Sequence, residues 1–439
     1  LFEKKKYFYY MKKTLLLCVV FVVVQFFSFC TSRKTVEDNA WLKKAIDVSI
    51  RQLETTAHEI QDTILLPRSI WTGYNVDFLC RQMERDLATF KDSLRLKPAE
   101  EKLGTRRYCA SIYDWTSGFF PGSLWYAYWI SGEESLKDEA VRFTNYLYPL
   151  KDYKGTHDIG FMMNCSFGNA NRLAPADSVR EALIQTANNL CNRFDDKIGC
   201  IRSWDFGRWN FPVIIDNMMN LDLLFYVSYL TGDDKYKRLA LKHADTTMQN
   251  HFRSDYSSWH VVSYNEDGTV EVKCTHQGKN DDSSWARGQA WGVYGYTSCF
   301  RESKDVRYLK QAEGIADMIM NRVKTKDLIP LWDYDAPVTA ETPRDASAAA
   351  ITASALIELS TLTTDGQKYF DYAENLLKNL SSSSYLAKPG ENQGFILMHS
   401  TGSLPNGSEI DTPINYADYY YLEALKRYMD VKGLTYNSL

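Results

Sequence analysis

Two acids stand out by the company they keep. Asp216 lies in I-I-D-N-M-M-N-L (residues 214–221), among Val213, Ile214, Ile215, Met218 and Met219, with Asn217 beside it and Asn220 one turn on. A carboxylate set among bulky apolar groups must be paired, be hydrogen-bonded or rise in pKa. Two readings of this stretch stand side by side. One is a structural acid near a helix start, where the dipole favours it. The other is a catalytic acid held partly protonated by its apolar neighbours. Asp158, in H-D-I-G-F-M (157–162), is the second acid in a polar-aromatic setting. By context the two form the strongest acid/base pair in the chain.

Other polar and aromatic residues collect in similar stretches. W-A-R-G-Q-A-W (285–291) puts Arg287 and Trp291 one turn apart on one face if it is helical. A guanidinium beside an indole offers charge recognition of a carboxylate and a flat apolar wall, a combination that suits an acidic sugar. The segment 203–211 carries Trp204, Phe206, Trp209 and Phe211, and His260, Thr275, His276, Gln277, Asp345, His399 and Asp411 fall in further polar stretches. Loops on a rigid scaffold are where sites are usually built. The seven histidines show neither H-x-x-x-H nor H-E-x-x-H spacing, and the cysteines follow no zinc pattern, so no metal and no cofactor is expected. Buried thiols and disulfides both remain open for those cysteines. A net charge of −4 with no basic block argues against a nucleic-acid surface.

The elements that must hold these residues are helical. Apolar periodicity predicts helices over 36–58, 119–130, 134–148, 178–193, 213–230, 234–250, 286–301, 305–322, 345–361, 366–380 and 415–430. Pro212 would then sit in the first turn of the helix that holds Asp216. Polar turns recur between them: Ser131-Gly132-Glu133-Glu134, Thr231-Gly232-Asp233-Asp234, Glu302-Ser303-Lys304-Asp305 and Thr364-Asp365-Gly366. Tyr236, Tyr308 and Tyr369 each follow their turn at a similar distance. Recurrence of this kind marks repeated helical hairpins, and the uneven spacing fits a closed barrel with long loops. Strand signal is confined to connectors such as 259–264 and 270–274. Residues 71–107 read as one helix, 78–94, within an unclassified segment.

The first thirty residues read differently. Lys12 and Lys13 follow Met11, and 14–29 is almost wholly apolar, as in a secretory signal. The expectation is a signal peptide over 1–30 with Met11 as the true start, then a single catalytic domain over 31–439. Cys30 is either lipidated or lies near an ordinary cleavage site. Either outcome exports the protein, to the periplasm, and membrane contact would come only through a lipid at Cys30.

Taken in order, D-W-T-S-G-F-F-P-G-S-L-W (114–125), H-D-I-G-F-M, I-I-D-N-M-M-N-L, T-H-Q-G (275–278), W-A-R-G-Q-A-W-G, D-A-S-A-A-A-I (345–351) and N-Y-A-D-Y-Y-Y-L-E-A-L (415–425) resemble glycoside hydrolase family 88, the unsaturated glucuronyl hydrolases. The resemblance spans about 113–428. It implies an all-α (α/α)6 barrel acting on oligosaccharides left by polysaccharide lyases, whose terminal uronic acid carries a C4–C5 double bond. A general acid protonates C4 of this vinyl ether, water adds at C5, and the resulting hemiketal opens. The rule linking carboxylate separation to anomeric outcome therefore does not apply. By motif, Asp216 is implied as the general acid/base and Asp158 as the second essential acid. His260 and Gln277 are implied as substrate- or water-positioning groups. Thr275, Arg287 and Trp291 are implied to bind substrate, and Trp204 to stack on it. Segment 71–107 departs from the family's shorter connection. Two alternatives are an unsaturated rhamnogalacturonyl hydrolase and a non-catalytic glycan-binding lipoprotein. The Asp216 and Arg287 motifs favour the glucuronyl type.

Overall fold

The computed structural model describes residues 39–61, 65–72 and 106–439. The expected signal peptide, Cys30 and the helix over 78–94 lie outside them. Within them the helices sort into two kinds by burial. The first kind is buried on every side. Ala346–Ser360, A-S-A-A-A-I-T-A-S-A-L-I-E-L-S, buries 13 of its 15 residues. Its small side chains let neighbours approach from all directions, as an inner helix requires. The second kind buries one stripe: in Glu134–Tyr146 only Leu136, Ala140, Phe143 and Thr144 are buried, at helical spacing, and the other face is charged.

In chain order the helices are α1 (39–59), α2 (Phe119–Ser131), α3 (Glu134–Tyr146), α4 (Ile159–Met163), α5 (Asn169–Leu173), α6 (Asp177–Cys191), α7 (Asn217–Thr231), α8 (Lys235–Asn250), α9 (Ala286–Ser303), α10 (Val306–Arg322), α11 (Ala346–Ser360), α12 (Gly366–Leu380) and α13 (Asn415–Lys432), and the strands are β1 (Leu66–Ile70), β2 (Arg107–Ala110), β3 (Phe194–Asp195), β4 (Cys200–Ile201), β5 (Pro212–Ile214), β6 (Val261–Tyr264) and β7 (Val270–Cys274). A π turn, Asn164–Gly168, joins α4 to α5, so the two act as one interrupted rod. The inner ring is α2, α4–α5, α7, α9, α11 and α13, and α13 packs back on α2 to close it. The outer helices are α1, α3, α6, α8, α10 and α12. This is an (α/α)6 barrel. Three of the hairpin turns share a left-handed cap: Gly132 at φ 76°, Gly232 at φ 72° and Lys304 at φ 60°, whereas Ala346–Ser360 ends at Thr361 with φ −86°. Glycine adopts that backbone freely, whereas Lys304 does so at a cost of roughly 1–2 kcal/mol. Tyr236, Tyr308 and Tyr369 are all buried in the outer ring.

Two expectations are corrected. No helix is expected over 159–173, where Gly160 and Gly168 break the apolar pattern, yet an interrupted helical rod forms there. The helix expected from 213 begins only at Asn217, since Pro212–Ile214 is a strand, β5. An apolar β-branched run after proline fits either element locally, and its antiparallel partner decides. β5 pairs with β6 (Val261–Tyr264), which pairs with β7 (Val270–Cys274), and Ile214, Val261 and Cys274 align across the sheet. The segments immediately beyond that aligned edge carry Asp216, His260 and Thr275–Gln277. Three motifs far apart in sequence are thus brought to one place by one small sheet. Leu66–Ile70 and Arg107–Ala110 form a further antiparallel pair. The six cysteines among the described residues are free thiols.

Candidate active site

The inner helices all present their N-terminal ends to one mouth of the barrel. Asp158, Asp216 and Asp345 occupy the N-cap positions of α4, α7 and α11, while Arg287 and Tyr416 are the second residues of α9 and α13. The dipoles therefore converge there and favour a negatively charged ligand. A cavity of about 610 Å³ opens at this mouth, walled by Asp158, Trp204, Gln277, Arg287 and Tyr416 among others. A second cavity of about 420 Å³ opens at the opposite mouth. Its charges satisfy each other: Arg301 joins Asp222 to Glu358, and Arg427 joins Glu358 to Glu423. Around the first cavity, by contrast, Asp216 Oδ2, His260 Nε2, Arg287 Nε and Tyr416 Oη are buried without a hydrogen-bond partner in the protein. Unsatisfied buried polar atoms are costly, and a polar ligand would satisfy them.

Both acids are shifted in the direction their surroundings require. Burial raises Asp216 to a pKa of about 7; Arg287 lowers it, Asp158 raises it again, and the Trp291 indole N–H lowers it slightly. Burial likewise raises Asp158 to about 7, against the lowering effect of Asn220 and Thr156. Each carboxyl is thus close to half protonated at neutral pH, the condition for proton transfer in either direction. Asn220 links them mechanically. It sits one turn after Asp216 on α7, and its Oδ1 accepts the Phe161 amide at 2.8 Å, at the start of α4. The approach depends on Gly160, where a Cβ would lie 2.5 Å from Asn220 Oδ1 and 2.6 Å from its Cα.

His260 is fixed in one tautomer. Its Nδ1 accepts the backbone amides of His276 and Gln277, both at 3.1 Å. The ring proton must then sit on Nε2, which faces Asp216 Oδ2 at 3.7 Å. Burial, followed by His276 and Arg287, holds its pKa well below the ordinary value. His260 is therefore a neutral donor aimed at Asp216, not a base. His157, fully buried, is lowered to about 3 by burial and lies with Nε2 3.2 Å from Asp158 Oδ1.

The remaining sequence-derived residues divide. Trp204 lines the cavity, edge-on to His276 at 5.2 Å and to His260 at 5.9 Å. Gln277 lines it too, with Nε2 donating to Gly402 O at 3.3 Å. Arg287 reaches the cavity while its Nη atoms donate to Asp345, Thr401 O and Gly402 O. Two expectations need correction. Trp291 is not a wall beside Arg287: it is fully buried and packed against Phe161 and Tyr420. The ring stacked on Arg287 is Trp285, at 4.5 Å. Thr275 turns its hydroxyl to the Gly278 amide at 2.8 Å and caps the turn instead of lining the cavity. Residues not anticipated are Arg68, Ser403, Asn406 and Glu409. Arg68 had only charge to mark it, and the 402–409 hairpin only the turn signal of Asn406-Gly407.

Carboxyl groups poised near neutrality on six helical hairpins place the protein among the glycoside hydrolases of (α/α)6 fold. A sequence profile described as glycosyl hydrolase family 47 matches residues 288–436, and one described as a domain of unknown function matches 11–85. The chain is 47% identical over 319 residues to an unsaturated glucuronyl hydrolase of Formosa agariphila, covering 72% of this chain and 80% of that one. It is 32% identical over 364 residues to an unsaturated chondroitin disaccharide hydrolase of Streptococcus pyogenes serotype M1, covering 80% and 90%. It also superposes, with a TM-score of 0.81 and 48% identity, on the crystal structure of an unsaturated glucuronyl hydrolase specific for heparin, covering 90% of this chain and 99% of that one. The chain belongs to the unsaturated glucuronyl hydrolase family.

Proposed function

We propose that the enzyme removes the terminal 4,5-unsaturated uronic acid from glycosaminoglycan fragments of the heparin type, by hydration of the vinyl ether. The observation that carries this is Asp216: a carboxyl raised to about 7 by burial, with an oxygen left unpaired facing a fixed neutral donor. In this reading protonated Asp216 delivers its proton to C4, and the carboxylate it becomes then deprotonates the water that adds at C5. His260 Nε2–H steadies that carboxylate. Asp158 binds sugar hydroxyls, and its negative charge helps Asp216 hold its proton. Arg287 and the converging helix dipoles receive the uronate carboxylate. The heparin-type preference is supported by the heparin-specific relative at 48% identity. The test is loss of the double bond's ultraviolet absorbance on incubation with unsaturated heparin and chondroitin disaccharides. Turnover of the heparin form is expected to exceed that of the chondroitin form. Turnover that survived Asp216→Asn would remove the assigned acid, and a chondroitin preference would remove the substrate class.

A further inference from the structure

The segment between Ile201 and β5 holds an aromatic residue that the chemistry at Asp216 does not use. Phe206 is 59% exposed yet lines the same cavity as Asp158 and Arg287. Its ring stacks on Trp204 with centroids 5.2 Å apart and planes 21° apart. Trp204 in turn stands edge-on to His260, which faces Asp216. The order outward from the acid is therefore His260, Trp204, Phe206.

This exposure is held in place. Arg193 grips the Asp205 carboxylate with two hydrogen bonds, at 2.9 and 3.1 Å, and Arg202 Nε donates to Trp204 O at 2.9 Å. Gly207 then turns the chain at φ +92°, where a Cβ would lie 2.6 Å from the Trp209 ring. The loop is thus braced on both sides of Phe206, which keeps the ring out of the core. Polar groups line the same cavity. Ser403 and Asn406 line the cavity from the tip of the 403–408 hairpin, where Asn406 Nδ2 donates to Ser403 Oγ at 2.8 Å. An aromatic face together with hydroxyl and amide groups in one cavity suits a pyranose, which has apolar C–H faces and a polar rim.

Resting on the reaction proposed above, we propose that Phe206 is the platform of an outer subsite, binding a sugar ring beyond the one released next to the unsaturated uronic acid. Trp204 serves the ring nearer the acids, and Phe206 lies one aromatic further out. The enzyme would then favour fragments longer than disaccharides.

The experiment compares wild type, Phe206→Ala and Phe206→Trp on an unsaturated heparin disaccharide and the matching tetrasaccharide. Wild type is expected to show the lower KM for the tetrasaccharide. Phe206→Ala should raise the tetrasaccharide KM by about tenfold while holding disaccharide kcat/KM within about twofold, and Phe206→Trp should restore the preference. An equal effect of Phe206→Ala on both lengths, no effect on either, or a wild-type KM indifferent to length overturns the subsite. Inactivity of wild type on both substrates would sink the reaction instead. Calorimetric titration with the tetrasaccharide then decides the platform: weaker binding to Phe206→Ala than to wild type supports it, and equal or absent binding overturns it.

Discussion

Asp216 owes its raised pKa mainly to lost water, with the neighbouring Asp158 charge adding less. The shift has two consequences. In the proposed reaction Asp216 donates the proton, so activity should fall as pH rises through about 7, where the basic limb of the kcat profile is expected. Its raised value also makes the folded state bind more protons than the unfolded chain between the ordinary carboxyl pKa of 3.8 and about 7. Stability is then fully present below the lower value and declines as pH rises to the upper one. Asp216→Asn should lower kcat by about 10²–10⁴-fold. The same variant should gain melting temperature over wild type at pH 8 and much less at pH 4. A thermal-shift series across that range checks the sign; an advantage largest at low pH would contradict it. His260 makes a second test at this scale. Nitrogen NMR should find the proton on Nε2 and no titration between pH 5 and 8, since two backbone amides occupy Nδ1. Asp216 was legible in the sequence because its apolar neighbours are its immediate neighbours. Trp291 was misassigned because the face of a helix does not say what that face meets.

At the scale of elements, the site depends on a sheet and a close helix contact. The β5–β6–β7 register sets Asp216, His260 and Gln277 side by side, and the α4–α7 contact through Asn220 sets Asp158 against them. Gly160→Ala should force the two helices apart. The expected cost is about 1–3 kcal/mol in urea denaturation, with a fall in kcat larger than any change in KM. The amphipathic outer helices could be read from periodicity, because each shows the core a single stripe. The inner rod at 159–173 could not, because its pieces are short, a π turn breaks it, and its first turn, 159–163, is buried on every side. The start of α7 was misplaced for a related reason: Val213 and Ile214 suit a buried strand and a buried helix equally until Val261 and Val262 pair with them.

Across the whole molecule, a buried cation ties the site's rim together. Arg68, from Leu66–Ile70, holds Glu409 through Nε at 2.7 Å and Nη2 at 3.1 Å, and pairs with Asp114 through Nη1. It thereby joins an N-terminal strand, the loop before α2 and the hairpin that carries Ser403 and Asn406. Arg68→Met should cost about 3–5 kcal/mol in urea denaturation, because two buried carboxylates lose their partner. Glu409→Gln should cost less. A change under 1 kcal/mol for Arg68→Met would mean that this brace is dispensable. Taken alone, the sequence determined the helical hairpins, the two acids and the family resemblance, because these rest on short-range periodicity and on motifs of a few residues in order. Only the tertiary structure decided that Trp291 is packed between Phe161 and Tyr420, that Thr275 caps a turn, that His260 carries its proton on Nε2, and that Arg68 and Phe206 reach the cavity. Each of these depends on which groups from distant parts of the chain meet, and on how much water that meeting excludes.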